Sequence, residues 1–142
     1  MQLRKVDPFD DDEAADDIRW LDGVCFVGTA APVELEDATW WIGYDDGKPI
    51  AYCGVKDSAT LLGWGYMCRA GVHPQHRGNG YQQRLIRKRI RYARENAMRG
   101  LRTDTSYDNV ASSNSLIKCG FKLFIPRHKW AFRQSLYWRL DL

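Results

Sequence analysis

The fold of this chain is decided by the stretch Ala70-Gly-Val-His-Pro-Gln-His-Arg-Gly-Asn-Gly-Tyr81, which leaves a β-rich segment and enters a helical one. Pro74 ends the preceding strand, because its missing N–H cannot contribute to a ladder. Gly78 and Gly80 allow backbone conformations that are closed to residues with a Cβ, and they let a ligand approach the main chain. The stretch therefore predicts a strand, a glycine-rich bend and a helix in direct succession.

This bend has the properties of an anion site. The first N–H groups of a helix have no partner inside the helix, and the helix dipole places about half a positive charge there. Arg77 adds a guanidinium, and Arg84 or Lys88 could reach further phosphates. There is no GxxxxGK(S/T) P-loop, and Tyr81-Gln-Gln stands where a dinucleotide fingerprint would place its third glycine. The bend therefore favours a pyrophosphate ligand outside both of those motifs.

Periodicity and turn residues around the bend predict the remaining elements. The Asp45-Asp-Gly-Lys48 turn predicts a hairpin, and Gly120 suits the left-handed position after a helix. Helices are predicted over residues 10–22, 80–97 and 109–119, with a weaker helix or turn over 32–37. Strands are predicted over residues 3–6, 39–44, 49–55, 64–72, 101–105, 122–125 and within 129–140, where the even-numbered residues share one side. The order predicts a three-layer α/β fold, with a mixed, mostly antiparallel twisted sheet of about six to seven strands and helices on both faces.

Length and composition predict one domain over residues 1–142, since 44% hydrophobic and 27% charged residues are ordinary for a globular protein. The net charge of +3 is unevenly distributed, with an acidic stretch over residues 7–17 and a basic stretch over 77–102. This favours a local anion site over a uniformly basic surface. The four cysteines form no CxxC pair and are expected to be free thiols: Cys25, Cys53, Cys68 and Cys119.

No apolar run approaches the length of a membrane span, and the acidic N-terminus does not resemble a signal peptide. We therefore expect a cytoplasmic protein without a membrane partner, as a monomer or a homodimer.

The order and spacing of two segments resemble the GCN5-related N-acetyltransferase (GNAT) family. In that family a strand ending V-x-P leads into R/Q-x-x-G-x-G/A and a long helix, and a further strand, an Asn, a short helix and a Gly-Phe pair follow. This chain has Val72-His-Pro74, then Gln75-His-Arg-Gly78-Asn-Gly80, and later Asn109 and Gly120-Phe121. The paired motifs cover residues 72–121, and the order of elements on either side agrees with the family.

The resemblance implies an acyl-CoA-dependent N-acetyltransferase that passes an acetyl group from acetyl-CoA to a primary amine by direct attack in a ternary complex. It implies that main-chain N–H groups of residues 77–81 hold the pyrophosphate and that residues 70–72 pair with the pantetheine arm. The N–H near Val72 would polarise the thioester carbonyl, and Asn109 would bond the pantetheine amides. The implied cofactor-binding residues are Ala70, Gly71, Val72, Gln75, Arg77, Gly78, Asn79, Gly80, Tyr81 and Asn109.

The proton donor to the departing thiolate is not marked in the sequence. Many members of the family use a Tyr in the second helix, and alignment on Asn109 and Gly120-Phe121 places Leu116 there. Leucine cannot donate a proton. The alternatives are one of three serines, a water molecule, or unassisted departure of a thiolate whose pKa is about 8.5. These serines are Ser112, Ser113 and Ser115.

The general base is equally open. The strand before the bend offers Tyr66 and Cys68 but no carboxylate, while Asp104, Tyr107 and Asp108 follow the next strand. Our hypothesis is that Tyr66 or Tyr107 relays the proton of the attacking amine, through water if needed. Direct attack is favoured because no Cys or Ser lies in an activated-nucleophile pattern.

Other functions are weaker interpretations. His73 and His76, with His128, could suggest a metal, but no nearby carboxylate or Cys completes a ligand set, so no metal is expected. The basic helix over residues 84–99 is most simply a solvated face, so nucleic acid is an unlikely partner. The main alternative is a catalytically weak CoA-binding sensor or interaction module, because Leu116 replaces the tyrosine. The acceptor amine could belong to a small molecule, a peptide or a protein.

Overall fold

The strands and helices of the computed structural model, which describes residues 1–28 and 31–142, follow the predicted order. They are β1 (Gln2–Val6), α1 (Asp12–Cys25), β2 (Ala38–Asp45), β3 (Lys48–Asp57), β4 (Gly65–Val72), α2 (Tyr81–Glu95), β5 (Gly100–Ser106), α3 (Val110–Lys118), β6 (Lys122–Phe124) and β7 (Ser135–Asp141). A short 3-10 turn, Pro74–His76, lies between β4 and α2.

The seven strands form one sheet with the order β1-β2-β3-β4-β5-β7-β6. Strands β4 and β5 run parallel, whereas β1–β2, β2–β3, β5–β7 and β6–β7 are antiparallel pairs. The predicted mixed, mostly antiparallel sheet is therefore confirmed. None of the helices in the described ranges is long and apolar enough to cross a membrane.

The chain divides into two compact units, residues 1–56 with 68–81 and residues 57–67 with 82–142. Strand β4 begins in the second unit and ends in the first. That the whole of residues 1–142 acts as one domain stays a prediction.

The first unit is built around helix α1. Asp11 caps the helix by accepting a hydrogen bond from the Ala14 N–H at 3.1 Å, as its short side chain predicts. The apolar stripe of α1 packs on the sheet face that carries Trp40, Ile42 and Tyr52; the stripe consists of Ala14, Ala15, Ile18 and Leu21. Burying this stripe is what holds the helix on β2 and β3.

The second unit is built around β5 and β7, whose pairing runs from Gly100 opposite Asp141 to Ser106 opposite Ser135. Leu101 and Trp138 are buried on the same sheet, and the indole N–H of Trp138 donates to the Thr105 hydroxyl at 3.0 Å. Helix α2 buries its own apolar stripe of Leu85, Ile86, Ile90 and Ala93. The helical spacing of apolar residues that predicts α2 is thereby confirmed.

Element boundaries differ most from prediction at two places. Helix α1 continues three residues beyond the predicted end at Asp22, as far as Cys25, so Gly23 lies inside the last turn and does not end the helix. The period-2 pattern of residues 129–140 becomes a strand only from Ser135. Gln134 has φ +63, a left-handed conformation that interrupts an extended backbone, so Phe132 lies outside the strand and is 92% exposed.

Candidate active site

The bend between β4 and α2 has the geometry that its glycines predict. Gly78 and Gly80 have φ values of +85 and +75, and a Cβ built on either would meet no atom within 4 Å. Asn79 between them has a negative φ. Alternation of this kind turns successive N–H groups toward one concave side, which makes an anion site. The main-chain N–H groups of residues 77–80 have no acceptor within the described parts of the chain.

Arg77 fixes the end of β4. Its Nε donates to the Val72 carbonyl oxygen at 3.0 Å, and the Cys25 thiol approaches the same oxygen at 3.4 Å. Burial raises the pKa of the Cys25 thiol, while the charge and hydrogen bond of Arg77 oppose the rise. Arg77 thus holds the strand end against the bend, in addition to placing a positive charge there.

The main chain of Ala70 and Val72 presents its N–H groups to the side away from β3. The N–H of His73 donates to the Ile50 carbonyl on β3 at 2.7 Å. Because N–H direction alternates along extended backbone, the N–H groups of Val72 and Ala70 point the other way. Gly71 is required on the inner side, since a Cβ there would lie 2.7 Å from the Cys25 sulfur and 3.0 Å from the Tyr52 ring.

Two consecutive residues of β4, Cys68 and Arg69, both reach the α1 side of the sheet. The Cys68 sulfur would lie 2.7 Å from a Cβ on Gly54, and Arg69 Nη1 lies 3.1 Å from Asp22. Consecutive side chains on one side are typical of a β-bulge, and bulges are common next to active sites. The Cys68 thiol therefore packs on the core containing Trp40.

Asp22 is a buried carboxylate held by two partners. Tyr52 donates its phenolic hydrogen to Asp22 at 2.5 Å, and Arg69 pairs with both carboxylate oxygens at 3.1 and 3.3 Å. Arg69 also donates to the carbonyl of Ala31 at 2.9 Å and stacks on the Phe26 ring at 4.8 Å. The network ties the chain after α1 to β4. Residues 29 and 30, which precede Ala31, lie outside the described residues.

The two histidines of the bend form an aromatic row with Trp20. Trp20, which is half exposed, lies 5.5 Å from His73, and His73 lies 5.8 Å from His76. The His73 Nδ1 accepts the N–H of Gln75 at 3.1 Å and so caps the 3-10 turn. In the described ranges no group of three or more His, Cys, Asp or Glu residues could hold a metal ion.

In the second unit, Tyr66 is joined to Asp104. The Tyr66 hydroxyl donates to Asp104 Oδ2 at 2.5 Å, and the indole N–H of Trp130 donates to the same oxygen at 2.9 Å. Trp130 packs edge-on against Tyr66 and Tyr137, with centroid distances of 6.4 and 4.6 Å. The structure thus unites two of the predicted base candidates in one cluster.

Tyr107 is not part of this cluster in the described contacts. Its ring is 56% exposed, and its main-chain N–H donates to the Gln134 carbonyl at 2.8 Å. Of the two tyrosines predicted as proton relays, Tyr66 therefore has a carboxylate partner and Tyr107 has none among the described residues.

Helix α3 carries Asn109 at its N-terminal cap, and Ser113 and Leu116 within it. The Asn109 side-chain oxygen caps it by accepting the Ser112 N–H at 3.2 Å, which leaves the amide NH2 group for another acceptor. Leu116 is 4% exposed and packs in the core. The Ser113 hydroxyl oxygen is buried and has no hydrogen-bond partner in the part of the chain that the structure describes.

The sequence does not distinguish Trp130 and Arg102 as site residues. Trp130 belongs to the period-2 pattern of residues 129–140, and Arg102 belongs to the basic stretch of residues 77–102. Arg102 lies over the rings of Phe124 and Trp130 at 4.8 and 5.4 Å. The one indication in the sequence that Arg102 belongs with Asp104 is their two-residue spacing, which places both side chains on the same face of a strand.

Comparison with known proteins agrees with this geometry. A family model described as the acetyltransferase (GNAT) family matches residues 3–121. A search of curated protein sequences found no significant match.

Solved structures share the fold at low sequence identity. A ribosomal-protein-alanine N-acetyltransferase from Brucella melitensis is 17% identical, with full coverage of both chains and a TM-score of 0.73. The yncA protein from Salmonella typhimurium, solved with its cofactor acetyl-CoA, is 18% identical, with 99% and 92% coverage and a TM-score of 0.73. The ribosomal-protein-S18-alanine N-acetyltransferase from Escherichia coli is 13% identical, with 99% and 92% coverage and a TM-score of 0.77.

These likenesses show the fold, and the family match extends to the bend, the two helices that follow it and the closing Gly120-Phe121. Because it covers well over half of the chain, the protein belongs to the acetyltransferase (GNAT) family.

Proposed function

We propose that this protein transfers an acetyl group from acetyl-CoA to a primary amine, by direct attack of the amine on the thioester in a ternary complex. The observation that carries the proposal is the bend at Gly78 and Gly80. The space beside both glycines is open, and the main-chain N–H groups of residues 77–80 have no acceptor among the described residues. Membership of the acetyltransferase family and the acetyl-CoA bound to the yncA protein support the choice of donor.

The bend would bind the CoA pyrophosphate. Alternating φ signs at Gly78, Asn79 and Gly80 gather the N–H groups of residues 77–80, and α2 begins directly afterwards at Tyr81. Fixed N–H dipoles bind a diphosphate without needing a side chain to be ordered first. Gln75 and Tyr81 flank this cradle on either side, and Arg77 supplies the positive charge next to it.

The free edge formed by residues 70–72 would bind the pantetheine arm as an added strand does. The outward N–H of Val72 is the donor that we assign to the thioester oxygen. The peptide unit that follows it is fixed in advance, because the Val72 carbonyl is held by Arg77 and Cys25 and the His73 N–H bonds to Ile50. A preorganised donor of this kind contributes about 3 to 4 kcal/mol to stabilising the oxyanion. We assign the Asn109 amide group to the pantetheine amides, since capping α3 uses only its oxygen.

Tyr66 is the group that we assign to the proton of the amine. A primary amine has a pKa near 10.4 and must lose a proton before or during attack. Tyr66 donates to Asp104, so a proton arriving at the phenolic oxygen can pass on to the carboxylate, and no net charge accumulates on the tyrosine. The exposure of Tyr107 makes it the weaker of the two relay candidates.

The thiolate of CoA would receive its proton from Ser113 or leave unprotonated. Leu116 is buried and apolar, so it cannot take this role. Ser113 has a buried hydroxyl with no partner among the described residues, the state expected of a group whose partner is the substrate. A covalent acetyl-cysteine route is disfavoured, because Cys68 packs on the core.

The second candidate function is a CoA-binding sensor without efficient catalysis. Leu116 favours it, because that position lacks an acid that many related enzymes use. Both functions require CoA binding, but only the transferase turns over acetyl-CoA efficiently.

Both are tested by calorimetry with CoA and by thiol release from acetyl-CoA in the presence of an amine panel. Binding with amine-dependent thiol release supports the transferase. CoA binding without thiol release in the presence of any amine supports the sensor. If the wild type does not bind CoA and Gly80→Glu behaves like the wild type, both functions are refuted.

A further inference from the structure

Arg102 is a partly buried cation without a counter-charge. Its guanidinium lies against the rings of Trp64, Phe124 and Trp130, at 5.9, 4.8 and 5.4 Å. Its Nε is buried without a hydrogen-bond partner, and within the described ranges no carboxylate pairs with it. Aromatic rings stabilise a cation but accept no conventional hydrogen bond from it, so the buried Nε donor remains unsatisfied among the described residues.

A second arginine makes the environment of the charged Arg102 side chain less favourable still. Arg139 lies directly opposite Arg102 on β7 and stacks on Trp64 at 4.7 Å. Arg139 has its own carboxylate, Asp141, at 2.9 Å, whereas Arg102 has none. Desolvation, followed by repulsion from Arg139, lowers the pKa of Arg102. An anion bound at Arg102 would relieve both effects.

Asp104 offers the opposite charge on the same face of β5. It follows Arg102 by two residues, which separates their Cα atoms by about 7 Å along the strand. Both hydrogen bonds from Tyr66 and Trp130 go to Oδ2, and Oδ1 has no partner within the described residues. Trp130 touches both groups, since its N–H bonds Asp104 and its ring lies over Arg102.

We propose that the acceptor is an amino acid, with its amine at Asp104 Oδ1 and its carboxylate at the guanidinium of Arg102. A flat guanidinium held between rings presents a rigid pair of donors, which matches a planar carboxylate. The separation of the two charged groups suits a short, flexible spacer between amine and carboxylate. This inference rests on the proposed transferase function and specifies its acceptor.

The transfer test uses three amines that differ in one group: γ-aminobutyrate, its neutral amide and n-butylamine. We expect kcat/KM for γ-aminobutyrate to exceed that for its amide by roughly tenfold to a hundredfold, the range of a charge-assisted hydrogen bond. Arg102→Gln should remove this difference, by raising KM for γ-aminobutyrate much more than KM for n-butylamine. Arg102→Lys should keep part of the preference, because it retains the charge but not the planar donors. Arg87→Gln, on the exposed side of α2, is the matched control and should change nothing.

A binding test keeps this inference separate from the transferase proposal. γ-Aminobutyrate should raise the Tm of the wild type in the presence of CoA and should have no such effect on Arg102→Gln. If no amine is acetylated but this shift is seen, the transferase proposal fails and the amino acid site stands. If n-butylamine and γ-aminobutyrate react equally well, or Arg102→Gln slows both equally, the amino acid site is refuted and the transferase stands.

Discussion

The hydroxyl of Tyr66 donates to Asp104 at 2.5 Å, linking two residues that are 38 positions apart in the chain. Tyr66 lies opposite Arg102 where β4 pairs with β5 in the second unit, and Asp104 lies two residues further along β5. Parallel pairing of these strands is what brings the two side chains together. This bond is the reason that, of the candidates that the sequence leaves open, we propose Tyr66 as the proton relay.

Tyr66→Phe should therefore lower kcat/KM for the amine, measured at saturating acetyl-CoA, by about a hundredfold or more, since the loss of a positioned acid–base group costs that much. The loss should be largest near neutral pH, where the amine is protonated, and should shrink toward pH 10. A pH–rate profile from 6 to 10 measures it. Tyr107→Phe is the matched control and should follow the wild-type curve. Wild-type profiles for both variants would refute the assignment.

Gly80→Ala should weaken CoA binding at least tenfold, because the new methyl enters the open side of the bend and φ +75 is strained for alanine. Gly47→Ala provides a close control, since Gly47 also has φ +75 and no atom within 4 Å of a Cβ. Both variants should lose about 1 to 2 kcal/mol of stability.

Calorimetry with CoA and urea unfolding separate the two effects of these glycine substitutions. Equal Kd values for Gly80→Ala and Gly47→Ala would show that the bend does not contact the ligand.

Ser113→Ala should lower kcat without lowering stability. The Ser113 hydroxyl is buried and has no partner in the described chain, so its removal relieves a desolvation cost of about 1 to 3 kcal/mol. The free energy of unfolding should stay equal or rise, while kcat falls if this hydroxyl protonates the thiolate. Ser115→Ala is the comparison variant. An unchanged kcat in Ser113→Ala would favour unassisted departure of the thiolate.

Alkaline unfolding should depend on Tyr52. Burial, and then the hydrogen bond and charge of Asp22, raise the pKa of Tyr52 above its ordinary value of 10.0. Above pH 10 the unfolded chain releases this proton and the folded chain retains it, so the free energy of unfolding falls as pH rises. One such proton contributes a slope of about 1.4 kcal/mol per pH unit.

Tyr52→Phe should remove that share of the slope. The check is urea unfolding of both proteins between pH 8 and 11. Curves for wild type and Tyr52→Phe that run parallel over this range would contradict the expected linkage.

Local chemistry determined much of the architecture. Pro74, Gly78 and Gly80 specified a strand, a bend and a helix, and the φ values of the two glycines confirm it. Asn109 and Gly120 bounded α3 correctly, since a cap oxygen and a left-handed glycine act within one helical turn. Such features depend on neighbours in sequence, so a single sequence contains them.

Only the tertiary structure decided which side chains work together. The pairing of β4 with β5 joined Tyr66 to Asp104, and the loop before β7 brought Trp130 onto the same carboxylate. The positive φ of Gln134, which ends the strand pattern before Ser135, is likewise unmarked in the sequence. Contacts of this kind depend on strand register and packing between residues far apart in the chain, and periodicity carries no information about them.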